Sequence, residues 1–396
     1  MRPLVSGPEA KRYRVPITNT FLLFPYDVSR DTPRLRPVED MQSRFPNAWK
    51  YLKMHESILR SRERFGKREQ QHKKQVGPFD DERWYRFGRN QNIDKQELAK
   101  LGVAETVPEL RLFADTEGTF CFNNVRVNGI VPANSDELFY LLGILNSPFP
   151  NWFFRLTAKP KDNGYFEANR QFIAPLPIPK ANKAQKKKVG GLAQRLQTLH
   201  TARRDSVAKL QRRIDSPQCV ADARRAEWLW ADVDPNYVKQ FAAAGLSARE
   251  RTTWTKGEIA RRLESHYEEI AAHLRPRVSV HVQADDDALI LLVDTTPVLA
   301  KYGLEPAEAQ YLAALWRQIL RGVNITSKFT AEKLVAKLLD LRTTSDLGLR
   351  QAILALDAEI QVQDCDIDNA EREINALIYQ LYDLTGEEIS LVESQQ

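Results

Sequence analysis

Proline placement constrains this 396-residue chain more than any other feature of its sequence. Pro3, Pro8, Pro16, Pro25, Pro33, Pro37 and Pro46 recur through the first 46 residues. A proline inside a helix removes a backbone donor and clashes with the preceding turn, so long helices are ruled out before Asn47. Residues 20–24 (apolar) and 120–127 (alternating) read as strands. The pattern turns helical over 48–65, where Trp49, Leu52, Ser57, Ile58 and Leu59 fall near helical spacing, and the polar stretch 66–81 reads as an exposed loop. Pro175, Pro177 and Pro179 stand at alternate positions, which excludes helix and predicts an extended ribbon across a surface.

Between and beyond these blocks the chain is more regular. Ser135 is the expected N-cap of an apolar helix over 136–145, with Asp136 and Glu137 suiting the helix dipole; Asn146-Ser147-Pro148 ends it. Residues 181–214 read as a basic amphipathic helix with Leu192, Leu196, Leu199 and His200 on one side. From 217 onward the pattern is mainly helical and acidic. One β-hairpin is expected, 278–282 with 289–293, around Asp285-Asp286-Asp287, and a last helix over 368–382 that stops near Gly386. The length fits about two to three domains. The expected fold class is α+β: a mixed α/β domain over 1–180, a connecting helix over 181–216, and a mainly helical domain over 217–396.

Charge divides along the same line. Residues 1–215 carry 39 Lys and Arg against 23 Asp and Glu, whereas 216–396 carry 19 against 29. A basic half joined to an acidic half is the footprint of a polyanion-binding surface beside a supporting domain; the alternative is that the bases solvate helix faces. Composition excludes other classes. Hydrophobic residues at 42% and charged residues at 28% are those of an ordinary globular chain. No apolar run reaches the roughly 18 residues of a spanning helix, so no membrane partner is expected. No apolar signal core follows the basic N-terminus, and a cytoplasmic location is expected. Cys121, Cys219 and Cys365 lie too far apart for a disulfide framework or a zinc spacing.

Catalytic signatures are missing. The sequence contains no glycine-rich phosphate loop, no HExxH and no GxSxG. Asp234-Pro235-Asn236-Tyr237 approaches the (Asp/Asn)-Pro-Pro-Tyr box of amino-group methyltransferases but lacks the second proline and a preceding strand, and reads as a turn. Glu9-Ala10-Lys11 matches the end of a metal-dependent nuclease motif with no upstream Asp to complete the metal site. What remains is recognition chemistry. The segment 84–92 interleaves Trp84, Tyr85 and Phe87 with Arg86, Arg89, Asn90 and Gln91, and such polar side chains read base edges. Asn123, Asn124, Arg170 and Gln171, with Glu167 and Asn169 nearby, offer the same groups. Lys159, Lys161, Lys186, Lys187 and Lys188 suit phosphate contacts, which position without specifying. Core packing is the competing reading for Trp84 and Tyr85, and a structural salt bridge for Arg86, Arg89 and Arg170.

The order of these signals resembles a known family. Arg2-Pro3-Leu4-Val5-Ser6-Gly7 followed by Lys11-Arg12-Tyr13 is similar to the entry of the target-recognition region in fused restriction-modification enzymes. Residues 52–62 resemble its following helix and 84–89 its aromatic-arginine box. The stretch 138–154, with Leu145-Asn146-Ser147-Pro148, and Gly164-Tyr165-Phe166-Glu167 with Leu176-Pro177-Ile178-Pro179, resemble its next two motifs. Ile367-Asp368 with 378–385 resembles its end. The family is that of the TaqI-like C-terminal specificity domain of N6-adenine DNA methyltransferases and type IIG restriction-methylation proteins. The likeness covers roughly 1–200 and 340–390; 217–340 has no counterpart in it.

That resemblance implies sequence-specific recognition of double-stranded DNA beside a methyltransferase polypeptide, which flips the target adenine out of the stack. S-adenosylmethionine is then the cofactor of the full enzyme or partner. These 396 residues hold neither its glycine-bearing site nor the Asn-Pro-Pro-Tyr box, so methyl transfer is not assigned to them and no catalytic, cofactor or metal residue is expected here. The alternative is a truncated or partner-docking subunit that binds a methyltransferase and not DNA by itself, through apolar helix faces such as Leu377, Leu381 and Leu384.

Overall fold

In the computed structural model, which describes the chain apart from residues 29–31, 63–78, 80, 89–91, 124, 223–244, 277 and 395–396, the strand Lys100–Ala104 is buried at every position. Leu112–Asp115 and Val127–Ile130 flank it, both antiparallel. Gly102 is needed there: a Cβ would collide with the rings of Phe113 and Phe122. Lys100 is tolerated because its ammonium pairs with buried Asp115 at 2.8 Å and donates to the carbonyls of Gln96 and Leu98. Asp115 accepts in turn from the Thr119 and Phe120 N–H groups, so this buried ion pair is satisfied on both sides. The N-terminal strand Arg2–Val5 lies between Phe21–Leu22, antiparallel, and Cys121–Phe122, parallel.

Helix Leu138–Asn146 is buried on most of its surface, as expected of an element that is apolar nearly all round. Its core partners include Leu101, Val103, Leu112, Ala193, Ile374 and Ile378. The cap is Asn134 rather than Ser135: Asn134 is extended and accepts from the Asp136 N–H, while Ser135 already belongs to a single 3-10 turn, Ser135–Glu137. Helix Pro148–Thr157 follows, with proline at its first position, where no donor is required.

Strand Leu112–Asp115 is a sheet edge, and its outward polar groups are covered by side-chain amides. Asn146 Oδ1 accepts from the Leu112 N–H at 2.8 Å while its Nδ2 donates to the Leu112 carbonyl at 3.0 Å. Gln197 does the same for Ala114, at 2.7 and 3.0 Å. Asn151 does it for Leu110, at 2.5 and 3.5 Å. Alternate residues present their backbone to the same side, so three carboxamides two residues apart imitate the missing strand.

Several expectations shift. The strand expected over 120–127 is two, Cys121–Phe122 and Val127–Ile130, because the Asn123 carbonyl accepts from both Arg126 and Val127 N–H groups and folds a tight turn. The helix expected over 48–65 is Pro46–Met54 and Glu56–Arg60, broken at His55; residues 63–65 lie outside those described. These short helices, with Val38–Arg44, carry a satellite core of Met41, Trp49, Leu52, Phe79, Trp84 and Tyr85. The strand expected over 20–24 shortens to Phe21–Leu22. Residues 177–180 adopt neither helix nor strand. The basic helix is Lys183–Ile214 and the last long one Leu347–Leu381; Asp383, at φ 55°, then reverses the chain. Gly386 opens a further helix, Gly386–Ser394, capped reciprocally by Thr385 and Glu388.

The chain divides into two compact units, residues 1–201 with 366–396, and 202–365. The sequence boundaries at 180 and 216 fall either side of the first division, and residues 366–396 join the first unit. In the second unit the expected hairpin is a three-stranded meander, Val280–Asp285, Ala288–Val293 and Thr296–Lys301. Pro297 conceals the third strand in the sequence, yet proline is admitted at an edge. Helix Pro306–Leu320 packs on the meander, and buried Trp316 donates to the Leu338 carbonyl at 3.1 Å. Buried Asp357 is held by Arg317 and Arg321 at 2.6 and 3.0 Å. Helix and strand in small sheets, with a helical C-terminal region, make the fold α+β. Among the described residues no helix is long and apolar enough to cross a membrane.

Candidate nucleic-acid interface

The turn Lys11-Arg12-Tyr13-Arg14 sets the geometry of the site. Tyr13 has φ 52°, an uncommon conformation for a bulky residue. It is held there from two sides: its N–H donates to the Leu112 carbonyl at 2.8 Å, and its ring is fully buried against His200. The turn brings Lys11 and Arg14 into one electrostatic neighbourhood with Arg111. Burial lowers the Lys11 ammonium below its ordinary range, and Arg111 and Arg14 lower it further, against an opposing pull from Glu9. A cavity of about 340 Å³ opens beside them, lined among others by Gly7, Lys11, Glu105, Arg111, Arg126 and Tyr165.

A run of backbone hydrogen bonds ties a second set of residues to this rim. The Arg126 N–H donates to the Asn123 carbonyl, the Glu105 N–H to the Arg126 carbonyl, and the Ala168 N–H to the Glu105 carbonyl. Strand Phe166–Glu167 pairs with Thr106–Val107. The loop before it is shaped by Asn163 and Gly164, both at positive φ, and closed by the Lys161 N–H on the Tyr165 carbonyl at 2.7 Å. Lys159 and Lys161 converge on Glu167 at 3.7 and 2.5 Å. A hydrogen bond from Lys161, reinforced by Lys159, holds the Glu167 carboxyl below its usual range. Just beyond, Asn169 caps the turn Arg170–Ile173 by accepting from the Gln171 N–H at 2.9 Å, leaving Arg170 and Gln171 exposed.

Of the residues expected from sequence to contact DNA, Asn123, Lys159, Lys161, Arg170 and Gln171 thus belong to one connected region. Asn123 serves first as a turn former, its Oδ1 accepting from the Val125 N–H. The others stand elsewhere. Arg86 is 17% exposed, ion-paired with Asp81 and 4.7 Å from the Phe79 ring centre. Trp84 and Tyr85 are buried in the satellite core. Lys186 pairs with Glu137 at 2.7 Å and Lys188 with Glu373 at 3.9 Å, while Lys187 is exposed. Arg89, Asn90 and Asn124 lie outside the described residues, as does Asp234-Pro235-Asn236-Tyr237. Glu9 caps the turn Gly7–Glu9 by accepting from the Ser6 N–H, a structural task. Among the described residues no group of three or more His, Cys, Asp or Glu could hold a metal ion.

Sequence reasoning did not assign Lys11, Arg111, Arg126, Glu105 or Tyr165 to a site. They come from five separate segments, and only the fold collects them. Lys11 was legible as part of Lys11-Arg12-Tyr13, but as a motif and not as one wall of a cavity. No protein-family model and no curated protein matches the chain.

Proposed function

We propose that this chain is the DNA target-recognition portion of an N6-adenine methyltransferase or type IIG restriction-methylation system, with methyl transfer supplied by a catalytic polypeptide. The observation that carries the reading is the cationic region of the first unit. Lys11, Arg14, Arg111, Arg126, Lys159, Lys161 and Arg170 stand on segments joined by the hydrogen bonds described above. Phosphate contacts supply most of the affinity of such proteins, and base-edge contacts, here open to exposed Arg170 and Gln171, supply discrimination. A second support is the distribution of the resemblance. Its first stretch, roughly 1–200, coincides with the larger part of the compact unit 1–201 with 366–396, and about half of its second, 340–390, falls in the same unit.

Binding of random-sequence duplex across a salt series tests this. Each lysine–phosphate contact contributes about 0.9 to the slope of log affinity against log salt, so the double variant Lys159→Ala, Lys161→Ala should flatten that slope by roughly 2 without altering sequence preference. An unchanged slope removes these lysines from the phosphate track. No binding at low salt overturns the reading.

A further inference from the structure

The cavity beside the Lys11–Arg14 turn is larger than phosphate contact with a duplex requires. We propose that it takes a single phosphate-bearing nucleotide, with the phosphate against Lys11 and Arg126 and the base or sugar edge against Glu105 and Tyr165. This goes beyond the DNA-recognition reading, since a free nucleotide would satisfy the same groups.

Volume comes first. About 340 Å³ lies at the lower end of the range of small-molecule sites, roughly 300–1,000 Å³, which exceeds the need of an inorganic anion. Charge comes next: the lining carries three cations, Lys11, Arg111 and Arg126, against one carboxylate, Glu105. Arg111 is engaged by Glu109 at 2.9 Å, whereas no ion pair is formed by Lys11 or Arg126 among the described residues. The Lys11 ammonium is lowered first by burial and then by Arg111 and Arg14, and an anion between these cations would offset that repulsion. Guanidinium presents a planar fork matched to phosphate oxygens, which suits Arg126 to orient the group. Glu105 would repel a second phosphate but can accept from an exocyclic amino group or a sugar hydroxyl, as carboxylates do in base recognition. Tyr165, 42% exposed on the rim, offers a ring face on which any base can stack. The strained backbone of Tyr13, pinned by burial and by Leu112, holds Lys11 in place before a ligand arrives.

The test is calorimetric titration of the full chain with deoxyadenosine monophosphate, deoxyadenosine and inorganic phosphate. The monophosphate should bind at least tenfold more tightly than either fragment, because only it engages both ends of the cavity. Arg126→Ser should weaken it about tenfold, with Lys209→Ser, an exposed lysine of the second unit, as the charge-matched control without effect. Glu105→Gln should narrow the advantage over inorganic phosphate while leaving the melting temperature unchanged, which separates recognition from folding. Competition by excess duplex would assign the nucleotide to bound DNA, and no competition to a free nucleotide. Monophosphate binding no tighter than inorganic phosphate, or unaffected by Arg126→Ser, overturns the proposal. Failure of the DNA reading instead leaves monophosphate binding intact while duplex binding is lost.

Discussion

Replacing Asn146 by Leu tests the amide-covered sheet edge most directly, because the two side chains are close in size and differ mainly in hydrogen bonding. Asn146 makes two bonds to one residue, accepting from the Leu112 N–H and donating to its carbonyl. Both Asn146 and Leu112 are buried. The carbonyl keeps a second donor, the Tyr13 N–H at 2.8 Å, so its loss is that of one ordinary bond, about 0.5–1.5 kcal/mol. The N–H has no such reserve and is left unsatisfied, which costs about 1–3 kcal/mol. Together the expected destabilisation is about 1.5–4.5 kcal/mol. At roughly 2–4 °C per kcal/mol for a unit of this size, thermal melting followed by circular dichroism should fall by about 3–18 °C. Asn146→Asp sharpens the test through pH. A carboxylate still accepts from the N–H but opposes the Leu112 carbonyl, whereas the protonated acid can donate to it. Folding would then raise that carboxyl's pKa, so the native state binds the extra proton and the variant should regain stability as pH falls. A melting temperature within about 2 °C of wild type for Asn146→Leu, or no acid rescue of Asn146→Asp, would refute the assignment of this amide to backbone satisfaction.

Two further perturbations probe the first unit. Burial alone would raise the Glu371 carboxyl, but hydrogen bonding by His200 and the Arg12 guanidinium hold it below its usual range. A depressed folded pKa contributes stability that is present above the unfolded value and lost as pH falls through the folded one; Glu371→Gln should therefore flatten the decline of stability below about pH 4.5 in urea titrations. Arg86→Ala should lower the melting temperature by releasing Asp81 and uncovering Phe79, while sequence preference in a binding selection stays as it was. Relaxed preference at one base would show instead that Arg86 leaves its ion pair to read DNA.

The α+β class and the larger elements were legible because they rest on local chemistry. Seven prolines keep the helices of the first 46 residues short and place Pro46 at a helix start, where no donor is required, and an apolar run such as 138–146 has to be buried. What escaped was decided by single hydrogen bonds or by partners distant in sequence. The Asn123 carbonyl cuts a strand in two by accepting twice. Asn134 takes the cap from Ser135 because it alone still lies in extended backbone. Thr296–Lys301 joined the meander despite Pro297 because its outer edge needs no donor there. The candidate site was legible only in part: lysines and arginines near 159–171 could be singled out by type, but Arg86 and Lys186 carry the same chemistry, and what separates them from Lys159 and Lys161, which also have a carboxylate partner, is that they are less exposed and stand away from the cavity. Residue type declares what a side chain can do, and only the fold declares whether it is already doing it.

The Asn-Ser-Pro motif and the cationic cavity meet at one residue. Leu112 receives both clasps: Asn146 on its N–H and carbonyl, and the Tyr13 N–H on the same carbonyl. Tyr13 is the residue whose left-handed backbone forms the turn bearing Lys11 and Arg14. An amide that belongs to one motif of the resemblance therefore spends both its oxygen and its nitrogen on the backbone and fixes the strand on which the turn hangs. The two roles separate by where the energy is lost. A variant of Lys11 or Arg126 removes charge from an intact cavity and should change ligand affinity at constant stability. A variant of Asn146 loosens the edge first and should weaken ligand binding only in proportion to the stability lost, as expected when one rigid element positions another.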